Sequence, residues 1–153
     1  MAKQESVIRL LQVEDSLEDA ESIVSALRNG GIAVRAIRPE SVEELTEALG
    51  KQPVDVVVAA WQARSLPFDA VAQAVKRSKR PLGLVASSTR IDEEILLGAA
   101  AAGAHHVVLR SRPEQILSTL KHVWTAVEAV LSQQRLQEAL RELGVEPGDR
   151  CVA

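Results

Sequence analysis

The sequence predicts an α/β domain built on a doubly wound, five-stranded parallel sheet, followed by an extended C-terminal helix. Five short aliphatic runs alternate with longer segments whose apolar residues recur at helical spacing. The runs are apolar throughout instead of alternating with polar residues, as expected for strands that are buried on both faces. The length of 153 residues with 46% hydrophobic content suits one compact domain.

The elements follow in strict strand–helix order. Strands are predicted over 7–13, 32–37, 54–60, 82–86 or 82–87, and 105–109. The first helix, over 16–29, has Ser16 as its N-cap and the run Asn29-Gly30-Gly31 as its stop. The second helix starts with a capping box, in which Glu44 follows Ser41 by three residues. Two further helices are predicted over 68–78 and 91–102.

Composition excludes several classes of protein. The net charge of −3 and the scattered basic residues argue against a nucleic-acid partner. The sequence has no apolar stretch of the roughly 18 residues that a membrane span requires, so no membrane association is expected. Cys151 is the single cysteine, which leaves no disulfide framework and favours a cytoplasmic setting.

Polar residues follow the predicted strands at the carboxyl end of the sheet, where doubly wound domains place their functional groups. Glu14 and Asp15 follow the first strand and could ligate a hard cation such as Mg²⁺. The alternative is that Asp15 and Glu18 only favour the positive N-terminus of the next helix. A hydroxyl cluster, Ser87-Ser88-Thr89, ends the fourth strand, and Arg110 follows the fifth.

Taken together, three segments resemble the receiver domains of response regulators in two-component signalling. They are "LLQVEDSLEDA" at the first strand, "VDVVVAAWQARSLPFD" at the third, and "AAAAGAHHVVLR" at the fourth helix and fifth strand. The resemblance covers about residues 6–125 and implies a flavodoxin-like sheet of the receiver type. In that family an aspartate at the end of the third strand accepts a phosphoryl group from a histidine kinase.

The resemblance also implies roles for the neighbouring positions. Glu14 and Asp15 match the acidic pair that holds Mg²⁺, and Arg110 matches the phosphate-reading lysine. Counting back from Arg110 puts Ser88 at the family's hydroxyl position, counting forward from Pro81 gives Ala86, and Ser87 lies between them. Val107 stands where many members carry an aromatic switch residue.

Ala60 falls at the phosphoacceptor position. A methyl group can neither attack phosphorus nor ligate a metal, so we expect no catalytic residue, no enzymatic activity and at most weak Mg²⁺ binding at Glu14 and Asp15. Arg110 is expected to pair with one of these carboxylates instead. Asp55 lies at the opposite end of the third strand and Asp69 at the start of the third helix, so neither is well placed to substitute.

Other residues that could carry chemistry allow structural interpretations. His105 and His106 are adjacent on a strand, so their side chains should point to opposite faces and not share one ion. Trp61 is either a partner-facing aromatic or a lid over the vacant position. His122 and Trp124 fall on the last helix, where packing or surface roles are expected.

The last helix begins at Pro113, has Gly144 as its stop, and covers about 30 residues or some 45 Å. Residues 126–144 are interpreted as a coiled-coil extension that makes a homodimer, and residues 145–153 as a tail. The alternative is that the helix folds back on its own domain. In this interpretation the first half of the helix can pack on the domain while the second half pairs with another helix. The apolar positions assigned to the dimer helix are Leu117, Leu120, Trp124, Val127, Leu131, Leu136, Leu140 and Leu143.

The leading hypothesis is a pseudo-receiver in two-component phosphorelay signalling. It would act by contact with an unidentified signalling protein and by dimerisation, without aspartyl phosphorylation and without a cofactor. Two alternatives are a receiver phosphorylated at a non-standard residue such as Asp69 or Ser88, and a structural dimerisation module on a receiver scaffold. The sequence leaves open whether the chain is part of a longer protein.

Overall fold

A computed structural model describes residues 7–144, in which five strands and five helices alternate. The predicted tail over 145–153, with Cys151, lies outside the described residues, as does the start of the predicted domain at residue 6. The strands are β1 (Val7–Val13), β2 (Ala33–Ile37), β3 (Val56–Ala60), β4 (Gly83–Ser88) and β5 (His106–Leu109). The helices are α1 (Leu17–Asn29), α2 (Val42–Lys51), α3 (Phe68–Ser78), α4 (Glu93–Ala102) and α5 (Pro113–Glu142).

All strand pairings are parallel and the strand order is β2-β1-β3-β4-β5. This is the flavodoxin-like doubly wound order, which confirms the predicted fold class. Alternate residues of each strand face opposite layers. Leu11, Val57 and Leu84 pack toward α2, α3 and α4, whereas their neighbours on the other face pack toward α1 and α5. Every residue of β3 is buried, which explains its unbroken apolar run.

Local capping sets most of the helix boundaries. Ser16 Oγ accepts a hydrogen bond from the Asp19 amide at the start of α1. At α2, Ser41 Oγ accepts from the Glu44 amide as predicted, but the Glu44 carboxylate accepts from the Glu40 amide, one residue before the N-cap. The predicted bond from the Glu44 amide to the Ser41 hydroxyl is therefore present. The bond to the Glu44 carboxylate comes from Glu40 instead of Ser41, so this half of the capping box is displaced by one residue.

Two predicted boundaries were early by two residues. Helix α4 begins at Glu93 because Asp92 is its N-cap, with Asp92 Oδ1 accepting a 2.8 Å hydrogen bond from the Ile95 amide. Strand β3 begins at Val56 because the buried Asp55 carboxylate accepts the Arg9 amide at 2.8 Å. Asp55 thus has a structural role at the amino end of the sheet.

Helix α5 is 30 residues long and packs its first half against β-strands and α1. The approach is close because glycines face it: a Cβ at Gly83 would overlap Val123, and one at Gly30 would lie 2.5 Å from a Leu117 methyl carbon. Ile116 and Leu120 are among the side chains buried by this packing. Helix α5 therefore belongs to the domain core over its first half.

This packing corrects the assignment of eight apolar positions to a dimer helix. Five of them contact the chain's own core, because the inner face of α5 lies on the sheet: Leu117, Leu120, Trp124, Val127 and Leu131. These contacts continue to Leu131, six residues past the predicted domain boundary at 125. Only Leu136, Leu140 and Leu143 remain available to another helix, with Leu136 61% and Leu143 78% exposed.

Within the range 7–144, no helix combines the length and the apolar character needed to cross a bilayer.

Candidate functional site

The candidate site lies at the carboxyl end of the sheet, where β1, β3, β4 and β5 end next to one another. Ala60 is the last residue of β3, is 2% exposed, and lies in register with Ser87 on β4. Partners in register on a parallel sheet project to the same face. The Ala60 methyl group and the Ser87 hydroxyl therefore point to the same face, toward the layer that contains α1 and α5.

Glu14 is the central group of this site. Its side chain is only 1% exposed and it accepts a 2.6 Å hydrogen bond from Ser87 Oγ. Arg110 approaches from β5, with Nη2 3.5 Å from Glu14 Oε1 and Nη1 3.8 Å from Asp19 Oδ2. Burial raises the pKa of Glu14, and the Ser87 hydrogen bond and the Arg110 charge oppose that rise.

Arg110 thus lies between two carboxylates. The expected pairing with Glu14 or Asp15 occurs at Glu14, and the second partner is Asp19. Sequence reasoning missed Asp19, although its place in the first turn of α1, four residues after Asp15, could have indicated it. The Arg110 Nε is buried and has no hydrogen-bond partner among the described residues.

Asp15 points away from this group, toward the loop between β3 and α3. Its carboxylate accepts hydrogen bonds from the Arg64 amide at 2.6 Å, the Ser65 amide at 3.1 Å and the Ser65 hydroxyl at 2.8 Å. The Arg64 and Ser65 hydrogen bonds lower the pKa of Asp15. Asp15 therefore fixes the loop that follows Ala60.

The resemblance to receivers implies Mg²⁺, but these donors do not fit the ion. The Asp15 oxygens are taken by the loop, the Glu14 oxygens face Ser87 and Arg110, and Ala60 supplies no ligand. Over residues 7–144, no group of three or more His, Cys, Asp or Glu side chains is placed to hold a metal ion.

The structure separates the two candidate serines. Ser87 faces Glu14, whereas the Ser88 hydroxyl accepts from the Arg90 amide at 3.3 Å and the Ser88 carbonyl accepts from the Arg110 amide. Ser87 is therefore the hydroxyl next to the Ala60 position. Ala86, the other residue considered, lies in the apolar cluster on the opposite face of the sheet.

Three further predicted residues lie outside this polar group. The Trp61 ring is 5.1 Å from the Phe68 ring and lies against Gly98 of α4, on the face opposite to Glu14 and Arg110. It is packed within the domain and is not a lid over Ala60. Val107 packs, half-buried, against the same apolar cluster, and Asp69 is exposed in the first turn of α3.

The remaining ionisable side chains of interest are the histidines, and they lie far from Ala60. His105 Nδ1 accepts the Leu84 amide at 3.0 Å, which gives it the structural role that we predicted. His106 meets His122 of α5 edge to face, with ring centroids 5.7 Å apart. Sequence reasoning missed this pair because 16 residues and a change of element separate the two positions.

Comparison with known proteins gives the fold but no close relative. No protein-family model and no curated protein matches the chain. Among solved structures, the signal receiver domain of NarL from Mycobacterium tuberculosis is similar at 20% identity and a TM-score of 0.67, over 80% of this chain and 98% of that one. A CheY-like receiver from Methanospirillum hungatei is similar at 16% identity and a TM-score of 0.65, over 81% and 98%. The chain has the receiver fold.

A third similar structure is a fusion that carries a trimeric coiled-coil segment of yeast Spc42. It is 22% identical with a TM-score of 0.69 and covers 93% of this chain and 95% of its own. Its share of this chain is larger than for the two receivers, which leave about a fifth of the chain unmatched. All three identities are low, so these likenesses concern the fold alone.

Proposed function

We propose that this chain is a pseudo-receiver, which takes part in two-component signalling by protein contacts and is not phosphorylated on aspartate. The observation that carries the proposal is the Ala60 methyl group at the end of β3, next to Ser87. Attack on a phosphoryl group requires an oxygen nucleophile, and a methyl group has none. On this proposal the chain has no enzymatic activity.

The charges around Ala60 support the same conclusion. In an active receiver-type site a cation would be available to the incoming phosphoryl group. Here Arg110 lies between Glu14 and Asp19, so an added anion would have to displace a carboxylate. We therefore propose that the site stays in one arrangement and binds Mg²⁺ weakly or not at all.

The test is incubation with Mg²⁺ and a small phosphoryl donor such as acetyl phosphate, followed by intact-mass measurement. We expect no phosphoryl adduct on the unmodified chain. Ala60→Asp is the matched variant, and we expect little adduct there too, because Arg110 remains paired with Glu14. Ala60→Asp with Arg110→Lys should form more adduct than the single variant.

A stable adduct on the unmodified chain would contradict the proposal. Peptide mapping then distinguishes the alternatives of Asp69, which is exposed, and Ser88, which is 3% exposed. Adduct at either position would make the chain a receiver with a non-standard acceptor.

We further propose that the second half of α5 binds a second copy of the chain. Leu136, Leu140 and Leu143 follow one another at intervals of four and three residues, which is the heptad spacing of a coiled coil. The helix extends about 17 Å beyond Leu131, at 1.5 Å per residue.

Light scattering of a Leu136→Ser, Leu140→Ser variant tests this arrangement. We expect the dimer to dissociate, because the polar side chains remove the apolar stripe. Gln134→Ser, on the opposite side of the helix, is the matched control and should leave the dimer intact. A dimer that survives the leucine substitutions, and also survives truncation before Ser132, would exclude the second half of α5 as the interface.

A further inference from the structure

The three histidines of the chain gather in one cleft at the amino end of β4 and β5. The cleft has a volume of about 370 Å³ and lies between these strands and α5. His105, His106 and His122 line it together with apolar residues that include Val123 and Val127. No Asp, Glu, Lys or Arg is among the lining residues, so the imidazoles are its polar side chains.

We infer that His106 and His122 form a binding site for a borderline transition-metal ion, with Zn²⁺ as the representative case. This site lies outside the proposed signalling function, at the end of the sheet opposite to Ala60. Imidazole nitrogen is a preferred ligand for Zn²⁺, Cu²⁺ and Ni²⁺, and a poor one for Mg²⁺. The ligand class therefore follows from the donor type.

The distance between the two rings supports a shared ion. Two imidazoles on one tetrahedral Zn²⁺ have ring centroids about 5 Å apart, because each Zn–N bond is about 2.0–2.1 Å. The His106 and His122 centroids are 5.7 Å apart. Both residues are exposed, so small side-chain rotations can bring a nitrogen of each ring to a common point.

His105 lines the same cleft, but one of its ring nitrogens already accepts a hydrogen bond from the backbone. Its Nδ1 accepts the Leu84 amide at 3.0 Å, so the proton of the neutral ring lies on Nε2, which then has no lone pair for a metal. The pair thus supplies two protein ligands, and water completes the coordination shell. The ion would connect β5 to α5 before the helix leaves the domain near Leu131.

Calorimetric titration with Zn²⁺ tests the site in a Cys151→Ser background, which removes the single thiol. We expect saturable binding of one ion, no binding of Mg²⁺, and a higher melting temperature in Zn²⁺. His106→Gln and His122→Gln should each weaken binding at least about ten-fold, since even loss of an outer-shell partner costs that much. His105→Gln is the matched control and should leave the affinity unchanged.

Long-range ¹H–¹⁵N spectra of the imidazoles provide a second measurement that does not depend on variants. Zn²⁺ should shift the ring nitrogens of His106 and His122 and leave those of His105 in place. Equal Zn²⁺ affinity in the His106→Gln, His122→Gln double variant would overturn the inference. So would the absence of saturable binding, or shifts confined to His105.

Discussion

The two ends of the parallel sheet differ in how their polar side chains are used. At the carboxyl end, Arg110 lies between the carboxylates of Glu14 and Asp19, close to Ala60. At the amino end of β4 and β5, His106 and His122 line an open cleft without a charged neighbour among its lining residues. The end where this fold usually carries its chemistry is therefore closed by ion pairs. The amino end of the sheet, where functional groups are not usually gathered, carries the imidazole nitrogens of His106 and His122.

The topology of the sheet determines which residues come together, but it does not determine which partners their side chains bind. Doubly wound sheets gather functional groups at the carboxyl ends of their strands. Here the same convergence lets Arg110, after β5, reach Glu14, after β1, across the ends of β3 and β4. Position 60 is an alanine and supplies no nucleophile, and the charged groups that meet there form the ion pairs Arg110–Glu14 and Arg110–Asp19.

Removing the Arg110 side chain should destabilise the carboxyl end of the sheet, because it removes the ion pair with Glu14. Arg110→Met leaves the Glu14 carboxylate buried without its cation, and we expect the free energy of unfolding to fall by about 3 kcal/mol. Urea denaturation at neutral pH measures this loss. Arg90→Met is the control, because its ion pair with Asp92 is exposed and contributes less than about 1 kcal/mol. Equal losses in the two variants would show that the Arg110 pair is not a buried one.

Filling the space at Gly83 should disturb the amino end. A Cβ there overlaps Val123, which also lines the histidine cleft, so Gly83→Ala should cost about 1–3 kcal/mol by overpacking. Thermal and urea unfolding measure this change. Gly50→Ala is the matched control in α2, where a Cβ meets no atom within 4 Å. It should stabilise the chain by about 0.5–1 kcal/mol through helix propensity.

The two serines provide a finer test of the carboxyl end. Ser87→Ala removes the 2.6 Å hydrogen bond to the buried Glu14, and we expect a loss of about 1.5 kcal/mol. Ser88→Ala removes only the 3.3 Å bond from the Arg90 amide and should cost less. A larger loss for Ser88→Ala in urea denaturation would reverse the assignment of the hydroxyl that faces Ala60.

The pH dependence of stability should differ in sign between the two ends. The raised pKa of Glu14 means that the folded chain holds its proton longer, so stability falls as the pH rises above 4.5. The lowered pKa of His106 means that the unfolded chain takes a proton first, so stability falls as the pH drops below 6.5. Urea unfolding from pH 4 to 8 measures the free energy of unfolding as a function of pH. Glu14→Gln should remove the fall in stability above pH 4.5, and His106→Gln should remove the fall below pH 6.5.

Either slope left unchanged in its variant would assign that pH dependence to another group. The effect of Asp15 can be separated from those of Glu14 and His106 by its pH range. Because the pKa of Asp15 is lowered, stability rises with pH below 3.8, and its contribution stays constant above that value. Asp15→Asn therefore acts below the range of the other two variants.

The order of elements was readable from the sequence because it depends on neighbours along the chain. Apolar runs, helical spacing and caps such as Ser16 and Ser41 act within a few residues, so they are visible without a fold. The same holds for Ala60, since an uninterrupted buried strand ends there. The parallel order then placed Glu14 and Arg110 at one end of the sheet.

What the side chains bind was decided by the tertiary structure. Glu14 and Asp15 are adjacent in the sequence, yet one is buried beside Arg110 and the other holds the loop after β3. The choice of Ser87 over Ser88 follows from the register of β4 against β3, which counting along the chain could not establish. These outcomes depend on distances between elements far apart in sequence.

The long helix shows the same division. The sequence by itself determined that about 30 residues after Pro113 are helical, because propensity and spacing are local properties. Which apolar side chains face the sheet, and that His106 meets His122, was decided only when α5 packed over Gly30 and Gly83. The physical reason is that local patterns specify conformation, whereas burial and partner choice depend on which distant surfaces come into contact.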